Sequence, residues 1–459
     1  MSDTNTLHVA ILPSSGMGHL VPAVRLAASL AARNCRITFI TTHPTVSLAE
    51  SRLVSRLVSF FPNVTRQEFH LLPLDRSTAN SNDPFCLQFE TIRRSAHLLS
   101  PILSSCSPPL SALVTDPSLV SAVIPITEKL RLANYNLFIA SPKMLSLLIY
   151  FPTIANTDLS TTSSKTTDYI EIPGIPPLPK SWLPPPLVDP SSLFRTQFIA
   201  NGQEIVKSDG ILVNAFDSLD KATVAALNGG KVMGRLPPVI TVGPFVPLEF
   251  EKGSPVEWLD RQPVGSVVYV CFGNRTAASR EQIRELGDGL ERSGCRFLWV
   301  VKEKKVDRED EEEVGEIVGH GFLERVKEKG LVVKSWVEQG EVLAHPAVGL
   351  FLSHCGWNSI TEAALYGVPI LGWPQGGDQK INGEVIPKSG LGIWVETWGW
   401  EEIVKGEEIG DKIREMMGDE KLKVQAARIG EEARKSVGVG GSSYKGLEGL
   451  VEKMRKGRA

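Results

Sequence analysis

The chain has 459 residues, of which 42% are hydrophobic and 22% are charged, and its formal net charge is −3. A chain of this length predicts two domains, because single hydrophobic cores stop growing beyond about 300 residues. The charge balance offers no basic footprint for nucleic acid and no polybasic membrane anchor, so both classes of partner are disfavoured.

The cysteines and the N-terminal residues indicate the compartment. Six cysteines are widely spaced and form no C-x-x-C pair, a pattern typical of a reducing cytosol. Residues 1–13 lack the basic and apolar segments of a signal peptide, and no apolar run is long enough for a membrane span. We therefore expect a cytoplasmic protein without a membrane span, and a monomer.

The first elements alternate between strand and helix. Residues 7–12 predict a strand, a glycine-containing turn follows as far as His19, and an alanine- and leucine-rich helix continues to Arg33. Residues 36–42 are β-branched and aromatic, which predicts the next strand. This alternation predicts an α/β domain with a parallel sheet and helices on both faces.

Two proline-rich segments interrupt the alternation. Residues 170–190 are dense in proline, which predicts an extended segment over the surface. A second proline cluster at residues 236–247 is the best domain boundary. We therefore predict an N-terminal domain at 1–240, a C-terminal domain at 241–440, and a final helix at 441–459 that packs on the N-terminal domain.

After this boundary the alternation of strands and helices restarts. In such doubly wound sheets, ligands bind beyond the carboxyl ends of the strands. The predicted strands are 267–272, 297–301, 331–335, 348–353 and 369–373, and the predicted helices are 280–293 and 358–366.

Residues 336–379 concentrate the side chains that a nucleotide bound to a sugar requires. Trp336 and Gln339 follow a predicted strand, where an indole can stack on a base and an amide can bond to it. His354 and Gly356 stand at a strand end before a helix whose N-terminus, with Asn358 as cap, suits a diphosphate.

Further along the same stretch, carboxylates and amides suit hydroxyl groups. Ser359 adds cap chemistry, and Glu362 lies one turn deeper, where its carboxylate can accept hydrogen bonds from ribose hydroxyls. Asp378 and Gln379 follow the next strand and can bind a hexose. Taken singly, each residue has a structural explanation as core or cap, but the order and spacing favour a common site.

The turn before His19 also invites a dinucleotide-binding interpretation. That fingerprint needs a third glycine, but Val21 stands three residues after Gly18. It also needs an acidic residue after the next strand, where this chain has Thr-Thr-His-Pro at 41–44. The interpretation as a dinucleotide-binding oxidoreductase is therefore rejected.

The whole pattern resembles the plant family-1 UDP-glycosyltransferases. The matching motifs are Trp-x-x-Gln, His-Cys-Gly-Trp-Asn-Ser-x-x-Glu, Gly-Val-Pro and Asp-Gln in residues 336–379, with Gly-x-Gly-His-x-x-Pro near the N-terminus. The resemblance implies a GT-B fold of two facing Rossmann-like domains. It also implies a UDP-sugar in the C-terminal domain and an acceptor in the N-terminal one.

The resemblance carries residue roles over to this chain. One departure is the stretch Asn274-Arg275-Thr276, where the family usually has Phe-Gly-Ser, so the phosphate contact of Thr276 rests on a weaker match. The implied donor-binding residues are Thr276, Trp336, Val337, Gln339, His354, Gly356, Trp357, Asn358, Ser359, Glu362, Asp378 and Gln379.

His19 is the candidate general base. It lies at a strand-to-helix turn, and a neutral imidazole can accept a phenolic proton near neutral pH. Asp116 follows another predicted strand and would orient the ring and raise its basicity. The structural alternatives are a hydrogen-bonding His at a helix start and a turn Asp before Pro117. The resemblance favours the catalytic pair.

No metal or other cofactor is expected, since the helix dipole and His354 can stabilise the leaving diphosphate. UDP-glucose would act as co-substrate, while xylose and galactose donors stay open. Besides an enzyme, a non-catalytic UDP-sugar-binding protein would explain the donor motifs, but the presence of His19 and Asp116 argues against it.

The acceptor prediction rests on Asp83-Pro84-Phe85. From the residues alone this is a turn, with Asp as cap and Pro fixing φ. The motif also resembles the flavonoid C-glucosyltransferase branch of the family, which implies acceptor binding by these residues. The implied acceptors are 2-hydroxyflavanones or dihydrochalcones such as phloretin, with an ordinary flavonoid O-glucosyltransferase as the alternative.

Overall fold

The computed structural model describes residues 7–45, 47–75, 83–156, 168–252, 256–273, 278–302, 313–334, 337–399 and 402–456. The chain forms two compact units. Unit 1 comprises Met1–Phe245 together with Ser436–Ala459, and unit 2 comprises Val246–Lys435. No helix in these ranges combines the length and the apolar character that a membrane span requires.

Unit 1 is built on a parallel sheet of seven strands in the order β3-β2-β1-β4-β5-β8-β9. The strand order reverses between β1 and β4, which is the position where ligands bind in open α/β sheets. The strands are β1 His8–Leu12, β2 Arg36–His43, β3 Val64–His70, β4 Ala112–Thr115, β5 Ala133–Phe138, β8 Gly210–Val213 and β9 Val239–Thr241.

Helices connect these strands, as parallel pairing requires. They are α1 Met17–Ala31, α2 Leu48–Phe60, α3 Pro84–Ser95, α4 Leu99–Ser104, α5 Val120–Leu130, α6 Pro142–Ile154, α7 Pro185–Val188, α8 Leu193–Ile205, α9 Asp217–Asn228 and, at the C-terminal end of the chain, α20 Ser442–Lys456. Helix α20 packs against β9, and the Ser443 hydroxyl donates to the Gly243 carbonyl at 2.5 Å.

The expectation of a purely extended proline-rich segment at 170–190 is wrong in part. Two short antiparallel strands, β6 Tyr169–Ile170 and β7 Leu178–Pro179, pair there, and α7 follows. Leu178 and Leu187 are fully buried. The prolines prevent long elements, but the apolar residues between them still bury their side chains and hold the segment against unit 1.

Unit 2 contains a second parallel sheet, of six strands in the order β12-β11-β10-β13-β14-β15. Its strands are β10 Val267–Cys271, β11 Arg296–Val300, β12 Gly330–Val333, β13 Val348–Ser353, β14 Ile370–Gly372 and β15 Gly392–Trp394. Its helices are α10 Glu257–Asp260, α11 Arg280–Ser293, α12 Val314–Val318, α13 His320–Val326, α14 Gln339–Ala344, α15 Trp357–Tyr366, α16 Gln379–Gly383, α17 Val385–Ser389, α18 Gly406–Gly418 and α19 Glu420–Val437.

Helix α11 shows why the sequence folds as predicted here. Ile283, Leu286 and Leu290 recur on one stripe, and all three are buried in the core of unit 2. The Ser279 hydroxyl accepts the Gln282 N–H at 3.1 Å and caps the helix start, while Gly294 ends it at φ 68°. Stripe, cap and left-handed glycine all favour the same helix. The predicted α/β class with two Rossmann-like sheets is confirmed.

His8, at the amino-terminal end of β1, forms two hydrogen bonds to neighbouring segments of unit 1. It is 2% exposed, its Nδ1 lies 2.6 Å from the Pro108 carbonyl, and its Nε2 lies 2.8 Å from the Thr38 hydroxyl. A carbonyl can only accept, so Nδ1 carries the proton and Nε2 accepts from Thr38. Burial lowers the pKa of His8, so the folded state favours the neutral ring.

Stability of the protein should therefore fall as the pH falls below the ordinary histidine pKa of about 6.5. The unfolded chain binds a proton there that folded His8 does not yet bind, which weakens folding by at most about 1.4 kcal/mol per pH unit. In His8→Asn, whose amide can still donate to Pro108, urea unfolding at pH 7.5 and 5.5 should show a smaller loss. An equal pH dependence in both proteins would contradict this account.

Candidate active site

The turn after β1 is shaped by Gly16. This residue has φ 96° and precedes α1 as its N-cap, and its N–H donates to Oε1 of the buried Glu50 at 2.7 Å. A Cβ atom at this position would lie 2.8 Å from Cε1 of Phe85. Both the positive φ and the close approach therefore require glycine. The turn places His19 in the first turn of α1.

His19 and Asp116, both predicted from the sequence, lie in direct contact. Nδ1 of His19 lies 2.6 Å from Oδ2 of Asp116 and 2.8 Å from the hydroxyl oxygen of Ser14. Residues Leu12 and Thr115 are partners in the β1–β4 pairing, so the segments that follow these two strands start side by side. The Asp116 side chain is 3% exposed and that of His19 is 15% exposed.

The electrostatics of this pair define the tautomer. Burial alone would raise the pKa of the Asp116 carboxyl, but the charge and hydrogen bond of His19 and the hydrogen bonds from Ser118 outweigh it and lower the pKa. Asp116 is therefore a carboxylate and accepts the Nδ1–H of His19. The lone pair on Nε2 is then the one that can accept a proton.

The Asp83-Pro84-Phe85 motif begins α3. Oδ1 of Asp83 accepts the backbone N–H groups of Phe85 and Cys86, both at 2.9 Å, so Asp83 is the N-cap and Pro84 the first helical residue. Phe85 is 4% exposed and packs against Gly16. One turn later the Phe89 ring lies 5.3 Å from the His19 ring. The motif thus supports the turn that carries His19, and its predicted acceptor contact stays a prediction.

In unit 2 the turn between β13 and α15 holds several predicted donor-binding residues. Gly356 is the N-cap, and α15 begins at Trp357, which is buried. Asn358 and Ser359 lie in the first helical turn, so the expectation that they cap the helix is wrong. Because the capping glycine has no side chain, no side chain at the N-cap position accepts from the first N–H groups of α15.

Two glycines border the imidazole of His354. A Cβ atom would lie 2.4 Å from its Nε2 if placed on Gly356 and 2.8 Å if placed on Gly273. A side chain at either position would displace the ring, so both positions need glycine. Burial lowers the pKa of His354 to about 4. The ring is therefore neutral near pH 7, and a hydrogen bond to the backbone of Cys271 offsets only part of the effect of burial.

Helices α14 and α15 bring three predicted residues together. The side-chain amide of Gln339 donates to the Ser359 hydroxyl at 3.1 Å and to Oε2 of Glu362 at 2.7 Å. Ser359 and Glu362 are 6% and 5% exposed, so these bonds fix a buried carboxylate in one orientation. Val337 is half-buried two residues before Gln339. Trp336 and Thr276 lie outside the described residues.

Asp378 and Gln379 have hydrogen-bond partners in their own segment. Oδ2 of Asp378 accepts from the Asn382 amide at 2.7 Å. Oε1 of Gln379 accepts the backbone N–H groups of Gln375 and Gly376 at 2.7 and 3.0 Å. Gln379 therefore uses its carbonyl oxygen to hold the loop after β14, and its Nε2 group is the end that can donate to a ligand.

Ser14 and Glu50 are contacts that the sequence reasoning missed. Ser14 stands in a turn between proline and serine, and Glu50 lies in the first turn of α2, where a charged side chain usually faces solvent. Neither position belongs to a motif. Only the three-dimensional structure, in which α2 contacts the turn after β1, reveals these two contacts.

The chain is similar to known UDP-glycosyltransferases in both sequence and fold. A family model described as UDP-glucoronosyl and UDP-glucosyl transferase matches residues 252–429. UDP-glycosyltransferase 708G2 from Citrus unshiu is 56% identical over 458 residues, covering 98% of this chain and 96% of that protein. UDP-glycosyltransferase CGT from Oryza sativa subsp. indica is 49% identical over 448 residues, covering 96% and 94%. The crystal structure of LpCGTa in complex with UDP has a TM-score of 0.87 and 50% identity, covering 98% of this chain and 99% of that one.

The capping role of Asp83 can be tested by stability. Asp83→Ala removes the acceptor for two N–H groups at the start of α3 and should lower the free energy of unfolding by about 1 kcal/mol. Asp83→Asn keeps a capping oxygen and should cost much less. Urea denaturation of the two variants beside the parent protein gives the comparison, and equal losses in both would contradict the capping role.

Proposed function

The chain belongs to the UDP-glycosyltransferase family, and we propose that it is an inverting, UDP-glucose-dependent C-glucosyltransferase of flavonoid-type polyphenols. The proposed acceptors are 2-hydroxyflavanones and dihydrochalcones such as phloretin. The observation that carries this proposal is the 2.6 Å hydrogen bond between Nδ1 of His19 and Asp116. It leaves Nε2 as a base next to the position where strand order reverses in unit 1.

In this proposal, unit 2 binds the UDP-sugar donor. The positive end of the α15 dipole and the neutral His354 would bind the diphosphate, and the oriented Glu362 would accept from the ribose hydroxyls. Gln339 would contact the nucleoside while holding Glu362. The remaining proposed contacts are phosphate to Asn358, Ser359 and Thr276, base to Trp336 and Val337, and hexose to Trp357, Asp378 and Gln379.

The acceptor half follows from the tautomer of His19. Nε2 would remove the proton of a phenol, and the negative charge would delocalise onto the ring carbon ortho to that oxygen. This carbon attacks the anomeric carbon from the face opposite UDP, the bond from the sugar to the diphosphate breaks, and UDP leaves with its electron pair. The ring carbon then loses its hydrogen as a proton to solvent, and the oxygen takes back the proton held by His19, which restores the aromatic phenol and the free base.

Attack by carbon is supported by the relatives. The rice protein and the UDP-bound crystal structure carry CGT in their names, which abbreviates C-glucosyltransferase. Both match this chain over nearly its full length. We also propose that the enzyme acts as a cytoplasmic monomer. It would need no metal ion, because the dipole of α15 and the neutral His354 would stabilise the departing diphosphate.

Replacement of the base tests the catalytic assignment. His19→Ala should lower kcat with UDP-glucose and phloretin by about 100-fold or more, which is the usual contribution of a general base. UDP binding, measured by calorimetry, should stay within twofold, because the proposed UDP contacts all lie in unit 2. His97→Ala, which changes an exposed histidine, should keep parental activity as the matched control. Turnover of His19→Ala near the parental rate would refute the assignment.

The bond type is tested by the product. Incubation with UDP-glucose, phloretin and EDTA should give a glucoside that resists mild acid hydrolysis, because its sugar is joined through a carbon–carbon bond. Its mass-spectral fragmentation should show cleavage across the sugar ring with no loss of the intact hexose residue. Release of free glucose by acid would show an O-glucoside, and loss of activity in EDTA would contradict the metal-free proposal.

A further inference from the structure

Nδ1 of His19 faces two oxygen atoms. Oδ2 of Asp116 lies at 2.6 Å and Oγ of Ser14 at 2.8 Å. Both distances lie within the normal range for a hydrogen bond. Since Asp116 is a carboxylate, the single proton on Nδ1 points toward these two acceptors, and the Ser14 hydroxyl keeps its own hydrogen for another partner.

We propose that Ser14 is a positioning residue for His19, whose hydroxyl oxygen is the second acceptor of the Nδ1 proton and strengthens the base. This inference rests on the proposed role of His19 as general base. Ser14 itself need not touch either substrate. It acts on the charge and the orientation of the imidazole ring.

The physical reason is the charge that the ring gains during the reaction. When Nε2 takes a proton, the ring becomes an imidazolium, and its Nδ1–H becomes a stronger donor. A second acceptor therefore stabilises the protonated ring more than the neutral one. The same oxygen restrains rotation of the ring, because Ser14 and Asp116 hold Nδ1 while Phe89 lies 5.3 Å from the ring centre.

Ser14 is well placed for such a role. It is 5% exposed and lies two residues before Gly16, whose N–H is bonded to Glu50. It borders Thr41, Thr42 and Arg66 at a small pocket in unit 1. The turn therefore has little freedom to carry the hydroxyl away from His19.

The charged groups on the neighbouring elements have hydrogen-bond partners of their own. Glu50 of α2 accepts from Gly16, and Arg66 of β3 donates to the Thr41 hydroxyl at 3.0 Å. On α3, Glu90 accepts from the Gln197 amide at 2.9 Å, and Arg93 donates to the Ser121 hydroxyl at 2.6 Å. The carboxylate of Asp116 is bonded to the His19 ring. Because Ser14→Ala leaves this carboxylate in place, any change in the ring's behaviour can be assigned to the lost hydroxyl.

The chain supplies a matched control at the next position. Ser15 is 2% exposed, and its Oγ atom has no hydrogen-bond partner among the residues that the structure describes. Ser14→Ala and Ser15→Ala therefore remove the same group from adjacent buried positions of one turn. Ser14→Thr retains the hydroxyl and serves as the conservative rescue.

In steady-state kinetics, Ser14→Ala should lower kcat by about tenfold, the lower end of the range for a hydrogen bond to a charged group. The KM for UDP-glucose should stay within twofold. The acid limb of the kcat/KM profile should move to lower pH by about half a unit, because a weaker base is freed of its proton at lower pH. Ser14→Thr should restore most of kcat, and Ser15→Ala should match the parent protein.

A measurement without substrate separates this inference from the proposed function. In nitrogen-15-labelled protein, the ring signals of His19, assigned by their absence in His19→Ala, should titrate at lower pH in Ser14→Ala than in the parent. An unchanged titration and acid limb would overturn the role of Ser14, even if kcat falls. Equal losses in Ser14→Ala and Ser15→Ala would also overturn it. Activity retained by His19→Ala would refute the proposed function, while the ring titration would still decide whether Ser14 acts on His19.

Discussion

The hydrogen bond between His19 and Asp116 joins two residues that are 97 positions apart in the chain. It exists because β1 and β4 are adjacent parallel strands, with Leu12 beside Thr115, so that the residues after them meet at one edge of the sheet. The bond stabilises a carboxylate that is almost completely buried, and in return the carboxylate selects the tautomer of the imidazole. The turn at Gly16, the contact with Glu50 and the ring of Phe89 all serve to keep this geometry.

In unit 2 the proposed donor site consists mainly of neutral groups. A leaving diphosphate carries negative charge, and under the proposed function it would meet the N-terminus of α15 and an imidazole that burial keeps uncharged. Glu362 lies one turn deeper in α15, where Gln339 donates to it. The same short helix, α15, would therefore present donors to the phosphates and an oriented acceptor to the ribose hydroxyl groups.

Much of this was predictable because the sequence signals are local. The apolar stripe at Ile283, Leu286 and Leu290 predicted α11, and the α/β class of GT-B type followed from alternation and resemblance and is confirmed. The site was predicted less completely. Asn358 was expected as a cap, but the glycine before the helix takes the N-cap position. Ser14 could not be predicted, because the contact of its hydroxyl with His19 depends on the fold of the turn and on no residue spacing.

The central claim is that His19 removes the phenolic proton of the acceptor, and its most direct test varies the acidity of that phenol. The rates of the parent and of His19→Ala should be compared at one pH over phloroglucinol-type acceptors of increasing acidity. If His19 is the base, the rate of the parent divided by the rate of His19→Ala should fall steadily as the phenol becomes more acidic. This ratio should approach one for acceptors that are already ionised in solution. A ratio that stays the same across the whole series would contradict the account.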